Sequence, residues 1–481
     1  MVILRLSNHL EIENPPATLE KWLEEFCIFH TSTYSNNDDI PETIILFERN
    51  GNKISIPRGL TELVIGELNK LKIEFQLEDL TTQATHYAFK IKKEINYTTG
   101  VFGFQKKVVN QLKSYHTGRL EAPTGSGKTA LACLLIGELQ EGPILFLVNK
   151  DRLLRQFIST VTKVLGIPKD EIGIIKAAKY SIKPITVGSL QTLGKEKFDL
   201  EAIKNSFNTV FFDECHISTA LTYRRVLLAL APKRLIGLSA TPDHYFSKSL
   251  NNLMLALLGP VKVKVEESEV PGRIIPEAYT RETNLVFTYR AAQDSPEWMK
   301  NKCRNKLFNE LLNSRERNKI IFHDCRKLVS VGHKVLIAVA RVSHGKILYD
   351  ALTKAGLLAS FPYKIKEEEL YTVDHKKLDE DCFKIENGEL SILIGTYSLF
   401  QTGFDCKALS AIQFAAPFSG INTTAVKQAV GRILRHTFDK ESAVVIDYLD
   451  DSKPFNILRQ WGEDRAEVLD KESKKNHSFI K

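Results

Sequence analysis

Apolar runs alternate with amphipathic stretches in the middle of this chain. Four short runs, at residues 144–148, 185–187, 210–212 and 234–238, are apolar throughout and lack the alternation of a half-exposed strand. Such runs are typical of parallel strands that are covered on both faces. An amphipathic stretch at residues 150–164 predicts one of the covering helices. The pattern predicts an α/β domain with a doubly wound parallel sheet.

A second alternating series begins near residue 297. Residues 297–331 are predicted to be largely helical, and residues 343–346 open another helix. Strands are predicted at residues 334–339, 391–396, 411–414 and 443–447. The prolines and charges of residues 259–281 predict a passage between the two domains. A final helix is predicted at about 456–469, followed by a basic end.

The first 80 residues predict a small α/β unit. They contain a strand at residues 2–6, a helix that opens at Pro16 and a second helix over residues 60–71. Residues 44–47 and 53–56 flank Asn50-Gly51, which predicts a hairpin. We expect this unit to dock a partner or shape the substrate, because its acidity disfavours a grip on phosphates. The alternative is a nucleic-acid role through Arg49, Lys53 and Arg58 around the hairpin, which a solvated hairpin edge explains about as well. Residues 81–98 are polar and predict a linker.

Composition is that of a globular protein. The 481 residues are 43% hydrophobic and 26% charged, and the length suggests about three domains. The sequence contains no run of about 18 apolar residues and no apolar leader after a basic stretch, so we expect a cytoplasmic protein that does not bind membranes. The seven cysteines form no C-x-x-C pair, which indicates neither a zinc site nor a disulfide framework.

Charge is unevenly distributed. Residues 1–80 hold 14 acidic and 7 basic side chains, a net of −7. Since the whole chain carries +8, the remaining residues carry about +15. A polyanionic partner is therefore expected at the basic part of the chain rather than at its acidic start.

Residues 121–129, Glu-Ala-Pro-Thr-Gly-Ser-Gly-Lys-Thr, lie between a predicted strand and a predicted helix. Gly125 and Gly127 allow backbone N–H groups to turn inward at a helix N-terminus, which favours a phosphate. Lys128 would neutralise the outer phosphates and Thr129 would hold Mg²⁺. Ala122 stands where the commonest version of this motif has glycine. The alternative is an ordinary glycine loop that caps a helix.

Two carboxylates follow the strand predicted at residues 210–212. Asp213 can hold Mg²⁺, and Glu214 can orient or deprotonate an attacking water. A turn or a helix cap is the alternative. Some twenty residues before the phosphate loop, the amide of Gln105 matches the donor and acceptor of the adenine edge, although a surface glutamine is the default.

Gln428, Arg432 and Arg435 are spaced four and three residues apart, so they share one face of a helix. The two arginines suit the charge that develops on a transferring phosphoryl group, and Gln428 can position water. A surface helix whose arginines pair with acidic neighbours is the alternative.

Together these segments resemble superfamily-two helicases. Residues 122–129, Asp213-Glu214-Cys215-His216 and Ser239-Ala240-Thr241-Pro242 resemble motifs I, II and III, and residues 428–435 resemble motif VI. The resemblance implies two tandem RecA-like domains, at residues 89–268 and 269–450, between an accessory domain at 1–88 and a helical tail at 451–481. It implies ATP and Mg²⁺ as cofactors.

The resemblance also assigns site residues. Catalytic roles fall to Lys128, Glu214, Gln428, Arg432 and Arg435. Nucleotide contacts fall to Gln105, Thr124, Gly125, Ser126, Gly127, Lys128, Thr129, Asp213 and Asp405, with Thr129 and Asp213 on the metal. Nucleic-acid contacts fall to Asn149, Arg152, Gln191, Thr192, Thr396, Thr402 and Gly403.

Within this class, the N-terminal unit, residues 213–216, residues 339–346 and the short C-terminal tail resemble phage recombination helicases of the UvsW type. That resemblance implies an enzyme that unwinds or branch-migrates forked DNA, with replication or recombination proteins as possible partners. Three alternatives stay open. They are an RNA helicase or remodeller, the translocating subunit of a restriction system, and a nucleotide-gated clamp without turnover.

Overall fold

The computed structural model of this chain contains two large, mostly parallel sheets, one in each half of the sequence. They belong to two units, Met1–Pro271 and Gly272–Lys481. The structure describes residues 1–481 except 36–37, 100–101, 124, 178, 241–247, 271–275, 291–295, 367–369, 398, 400–405, 418–429, 431–441, 473 and 476–481. The α/β fold with two parallel sheets confirms the fold class predicted from the apolar runs.

The first large sheet has eight strands. Their order across the sheet is Lys179–Ser181, Gly173–Lys176, Ile185–Ser189, Ile144–Val148, Thr209–Asp213, Arg234–Ser239, Thr117–Glu121 and Val261–Lys264. Neighbouring strands run parallel, apart from the outermost antiparallel pair. The central strands are buried on both faces, which explains why they read as continuous apolar runs.

Helices cover this sheet. The longer ones are Phe104–Lys113, Lys128–Leu139, Asp151–Leu165, Leu221–Ala229 and Lys248–Leu258, with a short helix at Leu190–Leu193. Lys128–Leu139 is buried along most of its length because it packs between neighbouring helices. Asp151–Leu165 is amphipathic and buries Leu154, Phe157 and Val161. Among the described residues, no helix is both long and apolar enough to cross a bilayer.

The N-terminal part forms its own five-stranded sheet. The order is Glu48–Asn50, Lys53–Pro57, His9–Glu13, Val2–Leu6 and Phe75–Asp79, with helices at Ala17–Phe26 and Thr61–Lys70. The predicted hairpin is wrong in its first arm. Glu48–Asn50 pairs with Lys53–Ser55, whereas Ile44 belongs to a separate ribbon in which Asp38–Ile45 pairs with Ile28–Ser35.

The N-terminal sheet and the first large sheet share one hydrophobic core. Leu60 and Val64 belong to the same buried cluster as Leu147 and Leu257. Arg58 is buried at this junction and donates to the carbonyl oxygens of Ser7, Pro232 and Lys233. The accessory part is therefore packed into the first unit, because its helix and strands have apolar faces that the larger sheet covers.

Residues 81–98 do not form the predicted free linker. Thr85–His86 pairs with Glu141–Gly142, and Phe89 and Tyr97 are buried in the core of the first unit. The phenol of Tyr97 donates to Glu138, which also accepts hydrogen bonds from Lys106 and Lys113. Tyr87, Ile91 and Ile95 pack against the same core, and the polar composition of the segment hid this role because its few apolar residues are scattered among charged ones.

The second unit contains a seven-stranded parallel sheet. Its order is Ala359–Ser360, Ile392–Thr396, Val335–Val339, Ala411–Phe414, Val444–Lys453, Glu277–Thr288 and Lys474–Lys475. The prediction that all of residues 259–281 connect the two domains thus includes too many residues at both ends. Val261–Lys264 completes the first sheet, and Glu277 already begins a strand of the second.

Among the described residues, the main helices of the second unit are Glu297–Asn313, Arg315–Ser330, Val342–Lys354, His375–Glu386 and Ile457–Glu472. Tyr363–Lys366 and Leu370–Val373 form a small hairpin. Two fully buried ion pairs tie this unit together. Arg317 Nε lies 2.9 Å from Asp450 Oδ2, and Arg465 Nε lies 3.0 Å from Asp447 Oδ2.

Candidate nucleotide-binding site

The glycine loop connects strand Thr117–Glu121 to helix Lys128–Leu139. Gly125 and Gly127 have φ values of 90° and 80°, in the left-handed region that favours glycine. A Cβ added at Gly125 would meet nothing within 4 Å, so backbone conformation rather than crowding requires glycine there. The loop thus has the backbone that a phosphate cradle needs, at the N-terminus of a buried helix.

Side chains around the loop are held in place by the loop backbone. Lys128 Nζ donates to the carbonyl oxygen of Ala122 at 3.3 Å, and Gln105 Nε2 donates to that of Ser126 at 3.4 Å. Ser126 Oγ is buried and has no hydrogen-bond partner among the described residues. Thr124 lies outside the described residues, and Thr129 is half-buried in the first turn of the helix.

Asp213 reaches the same edge of the sheet. Strand Arg234–Ser239 pairs with Thr209–Asp213 on one side and with Thr117–Glu121 on the other. Asp213 lies beside Leu238, and Ser239 lies beside Glu121, so the carboxyl ends of the three strands are level. Burial and the nearby Glu214 carboxylate raise the pKa of Asp213 to about 7, while the charge of Lys128 opposes the shift.

Glu214 has an unusual backbone conformation. Its φ is 53°, an unusual value for a residue with a side chain, and its N–H donates to Asp213 Oδ1 at 3.1 Å. Its buried Oε2 makes no hydrogen bond among the described residues and lies 3.4 Å from His216 Nδ1. His216 Nδ1 also lies 3.2 Å from Ser239 Oγ. The acidic segment therefore contacts the end of strand Arg234–Ser239; Thr241 and Pro242 lie outside the described residues.

These groups fit a magnesium nucleotide. A phosphate would find the open left-handed loop, the Lys128 ammonium and the helix N-terminus. The carboxylate of Asp213, with its raised pKa, is unfavourable without a cation, and Mg²⁺ prefers such oxygen ligands. Thr129 and Asp213 would hold the ion, which would supply charge neutralisation at the phosphate oxygens.

The predicted nucleic-acid residues of the first unit follow neighbouring strands. Asn149 follows Ile144–Val148, and its buried Oδ1 has no hydrogen-bond partner within the described parts of the chain. Gln191 and Thr192 follow Ile185–Ser189, whose Ser189 pairs with Val148. Arg152 lies in the first turn of Asp151–Leu165. The structure thus brings these four side chains to one edge of the sheet.

In the second unit, Thr396 ends strand Ile392–Thr396. Its N–H donates to the phenol oxygen of Tyr363 at 2.8 Å, and its Oγ1 lies 3.0 Å from the same oxygen. Sequence reasoning missed Tyr363, because a tyrosine in a charged hairpin carries no local mark of this contact. The other predicted residues, Thr402, Gly403, Asp405, Gln428, Arg432 and Arg435, lie outside the described residues.

Comparison with known proteins supports the same class. Residues 62–244 match the family described as the res subunit of type III restriction enzymes. The chain is 24% identical over 421 residues to a protein of Acanthamoeba polyphaga mimivirus named as an ATP-dependent RNA helicase, a match that covers 87% of this chain and 74% of that protein. It is 25% identical over 358 residues to the ATP-dependent DNA helicase uvsW of Enterobacteria phage T4, which covers 69% of this chain and 64% of that protein.

A solved structure agrees on the fold. S. cerevisiae Dbp5 bound to RNA and ADP BeF3 matches with a TM-score of 0.50 at 15% identity, over 76% of this chain and 86% of that chain. At this identity the likeness concerns the fold alone. The chain is thus similar to DExH-type helicases of superfamily two, with viral helicases among the relatives it matches, and its parallel-sheet units have the RecA-like fold of helicase domains.

Proposed function

We propose that this protein is an ATP-dependent DNA helicase or translocase that acts on branched DNA, by unwinding forks or migrating branches. The observation that carries the proposal is the meeting of Lys128 and the glycine loop with Asp213 and Glu214 at one edge of the first sheet. This arrangement suits hydrolysis of a nucleoside triphosphate. DNA is favoured by the name of the phage T4 relative and by the sequence resemblance.

In the first unit each group has a separate task. Lys128 would neutralise the outer phosphates, and Thr129 and Asp213 would hold Mg²⁺, which would supply further charge neutralisation at the phosphates. A water oxygen forms the new bond to the γ-phosphorus, and the bond from that phosphorus to the β-phosphate oxygen breaks. Glu214 orients the water and accepts its proton. The buried Glu214 Oε2, which makes no hydrogen bond within the described residues, suits that role.

Further groups are proposed from the sequence. Arg432 and Arg435 would neutralise the charge that develops on the transferring phosphoryl group, and Gln428 would position water. Asp405 would face the nucleotide. Loss of the γ-phosphate would release the arginines, and repeated closure and opening would move the bound strand. The contact between His216 and Ser239 connects residues 213–216 to the end of strand Arg234–Ser239. It is one physical link by which a change at the two carboxylates can affect the residues that follow this strand.

The bound strand is proposed to follow the carboxyl ends of the strands. In the first unit it would contact Asn149, Arg152, Gln191 and Thr192, and in the second unit Thr396, Thr402 and Gly403. Short polar side chains at strand ends can hydrogen-bond a sugar-phosphate backbone without reading bases. Such contacts would allow movement along any sequence.

The deciding experiment is a titration of phosphate release against a DNA fork, a four-way junction, linear duplex DNA, single-stranded DNA and RNA, at one salt concentration. We expect the largest stimulation from the branched DNA substrates, and none with Lys128→Ala on any of them. Stimulation by RNA alone would instead favour an RNA helicase, the function named for the mimivirus relative. Turnover that no nucleic acid stimulates would contradict the proposal.

A further inference from the structure

A short hairpin forms the outer edge of the first sheet. Strand Gly173–Lys176 runs parallel to Ile185–Ser189, and Lys179–Ser181 turns back antiparallel on its outer side. Because Ile175 pairs with Gly188, Lys176 is level with Ser189, which pairs with Val148. The turn of the hairpin therefore lies at the edge of the sheet that carries the nucleic-acid residues predicted in the first unit.

Side-chain contacts connect this turn to those residues. The N–H of Ala177, a non-glycine residue with a φ of 46°, donates to Thr192 Oγ1 at 3.0 Å. Lys176 Nζ donates to Asp151 Oδ2 at 2.6 Å, next to Arg152 on the same helix. Strands in a sheet are spaced by about 4.8 Å, so the hairpin turn begins roughly 10 Å from Asn149. The hairpin turn therefore continues the row formed by Asn149, Arg152, Gln191 and Thr192 along this edge of the sheet.

The loop at residues 194–198 supports the hairpin. Arg225 donates to the carbonyl oxygens of Gly194, Glu196 and Phe198 over 3.1–3.4 Å, which holds residues 194–198 in one conformation. The ring of Phe198 lies 6.3 Å from the ring of Tyr180, centroid to centroid. Tyr180 remains 58% exposed, so one aromatic surface is held in place and is open to solvent.

The hairpin and the loop are strongly basic. Residues 176–197 contain five lysines and one glutamate, a net of +4, in contrast to −7 for residues 1–80. Lys179, Lys195 and Lys197 are exposed, and none of the three forms an ion pair among the residues that the structure describes. Exposed lysines without acidic partners on well-supported segments favour the binding of a polyanion.

We propose that the lysine rim, defined as Lys176, Lys179, Tyr180, Lys195 and Lys197, binds the continuation of the nucleic-acid strand beyond Thr192. The lysines would contact successive phosphates, and the tyrosine ring would stack on one base. This proposal rests on the proposed function and adds a binding site to it. Lysines on an edge strand also prevent strand addition, but that role does not require a supported, exposed tyrosine or the lysines at residues 195 and 197.

Three rim variants and one control variant test the rim in the full-length protein. Lys179→Ala/Lys195→Ala removes two rim charges. Lys163→Ala/Lys169→Ala is the matched control, because these exposed lysines lie in the end of helix Asp151–Leu165 and the turn before strand Gly173–Lys176, at the opposite edge of the sheet. Tyr180→Ala removes the ring, and Tyr180→Phe keeps it. The measurements are the affinity for a labelled single-stranded oligonucleotide at several salt concentrations and the ATPase rate without nucleic acid.

We expect the rim double variant to reduce the salt dependence, the slope of log affinity against log salt, by about 1.4, or 0.7 for each lost phosphate contact. Tyr180→Ala should weaken binding about tenfold with little change of slope, and Tyr180→Phe should bind like the wild type. The control pair and the basal ATPase rate should not change.

Two results would overturn the proposal, and they are distinguishable. If the rim double variant has the same slope as the control pair, or if Tyr180→Ala binds like the wild type, the corresponding part of the rim does not contact nucleic acid. If the wild-type protein itself does not bind the oligonucleotide, the proposed function fails, and the rim proposal fails with it.

Discussion

Gln105 donates a hydrogen bond from its side-chain amide to the backbone carbonyl oxygen of Ser126, over 3.4 Å. The glutamine is almost fully buried, and its Nε2 would lie 3.3 Å from a Cβ added at Gly127. The first turn of helix Phe104–Lys113 is thereby connected to the glycine loop. If the same amide recognises adenine, base recognition and loop conformation are coupled through one side chain.

Replacement of Gln105 tests this connection. Gln105→Glu keeps the size of the side chain but replaces the amide donor by a carboxylate that faces a carbonyl oxygen, so we expect the KM for ATP to rise about tenfold. The preference for ATP over GTP should fall as well. A variant with unchanged KM and unchanged preference would show that the glutamine only fills space.

Replacement of Lys128 and replacement of Glu214 are predicted to have different effects on nucleotide binding and hydrolysis. Lys128→Ala should abolish ATP turnover and weaken nucleotide binding, because the phosphates lose their cation. Glu214→Gln should bind nucleotide normally and hydrolyse it at least a hundredfold more slowly, since it loses only the base. Phosphate release and fluorescent-nucleotide binding measure the two effects, and Lys163→Ala is the control. Normal turnover in either variant would refute that role.

Arg435 is predicted to act on turnover rather than on binding. Arg435→Ala should retain ATP affinity within about threefold and lose most of the turnover, because its charge is needed as the phosphoryl group transfers. Arg435→Lys should recover little, since an ammonium lacks the planar fork of a guanidinium. An Arg435→Ala enzyme with wild-type turnover would remove this residue from the catalytic set.

Adjacent aspartates in the second unit provide a stability test. Asp450 is fully buried against Arg317 and accepts a hydrogen bond from Thr283, whereas Asp451 pairs with Arg459 at 2.6 Å on the surface. Asp450→Ala leaves a buried guanidinium without its counter-charge and should cost about 3–5 kcal/mol of unfolding free energy. Asp451→Ala should cost at most about 1 kcal/mol. Urea unfolding of both variants checks this, and equal midpoints would contradict it.

His344 should make stability depend on pH. Burial, with a smaller contribution from the Arg317 charge, lowers the pKa of His344 to about 3. Between that value and the ordinary pKa of about 6.5, the unfolded chain binds a proton that the folded chain does not, so stability should fall as the pH falls below about 6.5. Near pH 5.5 the loss from this group is roughly 1 kcal/mol.

His344→Gln is the matched variant for this effect. The new amide can still donate to Asn318 Oδ1, which lies 2.9 Å from His344 Nε2, but it does not titrate. Urea midpoints at pH 7.0 and pH 5.5 should therefore differ less in this variant than in the wild type. An equal difference in both proteins would contradict the assignment.

Several local predictions agree with the structure. The strands predicted at residues 144–148 and 411–414 are observed with the same bounds, and the glycine loop is followed by a helix. The hairpin predicted at residues 44–47 and 53–56 was wrong in its first arm. Ile44 and Ile45 pair instead with Phe29 and Ile28, fifteen and seventeen residues earlier. The turn residues Asn50-Gly51 indicated a reversal but not which strand enters it.

The sequence by itself determined the strand and helix types and the chemistry at residues 125–129 and 213–214, because hydrophobic periodicity and motif spacing are local properties of the chain. Only the tertiary structure decided that Gln105 bonds the loop, that Thr396 contacts Tyr363 and that the lysine rim extends from Thr192. Each of these hydrogen bonds joins a side chain to a backbone group that is 15 to 33 residues away in sequence. Their meeting depends on strand order and register, which no local pattern encodes.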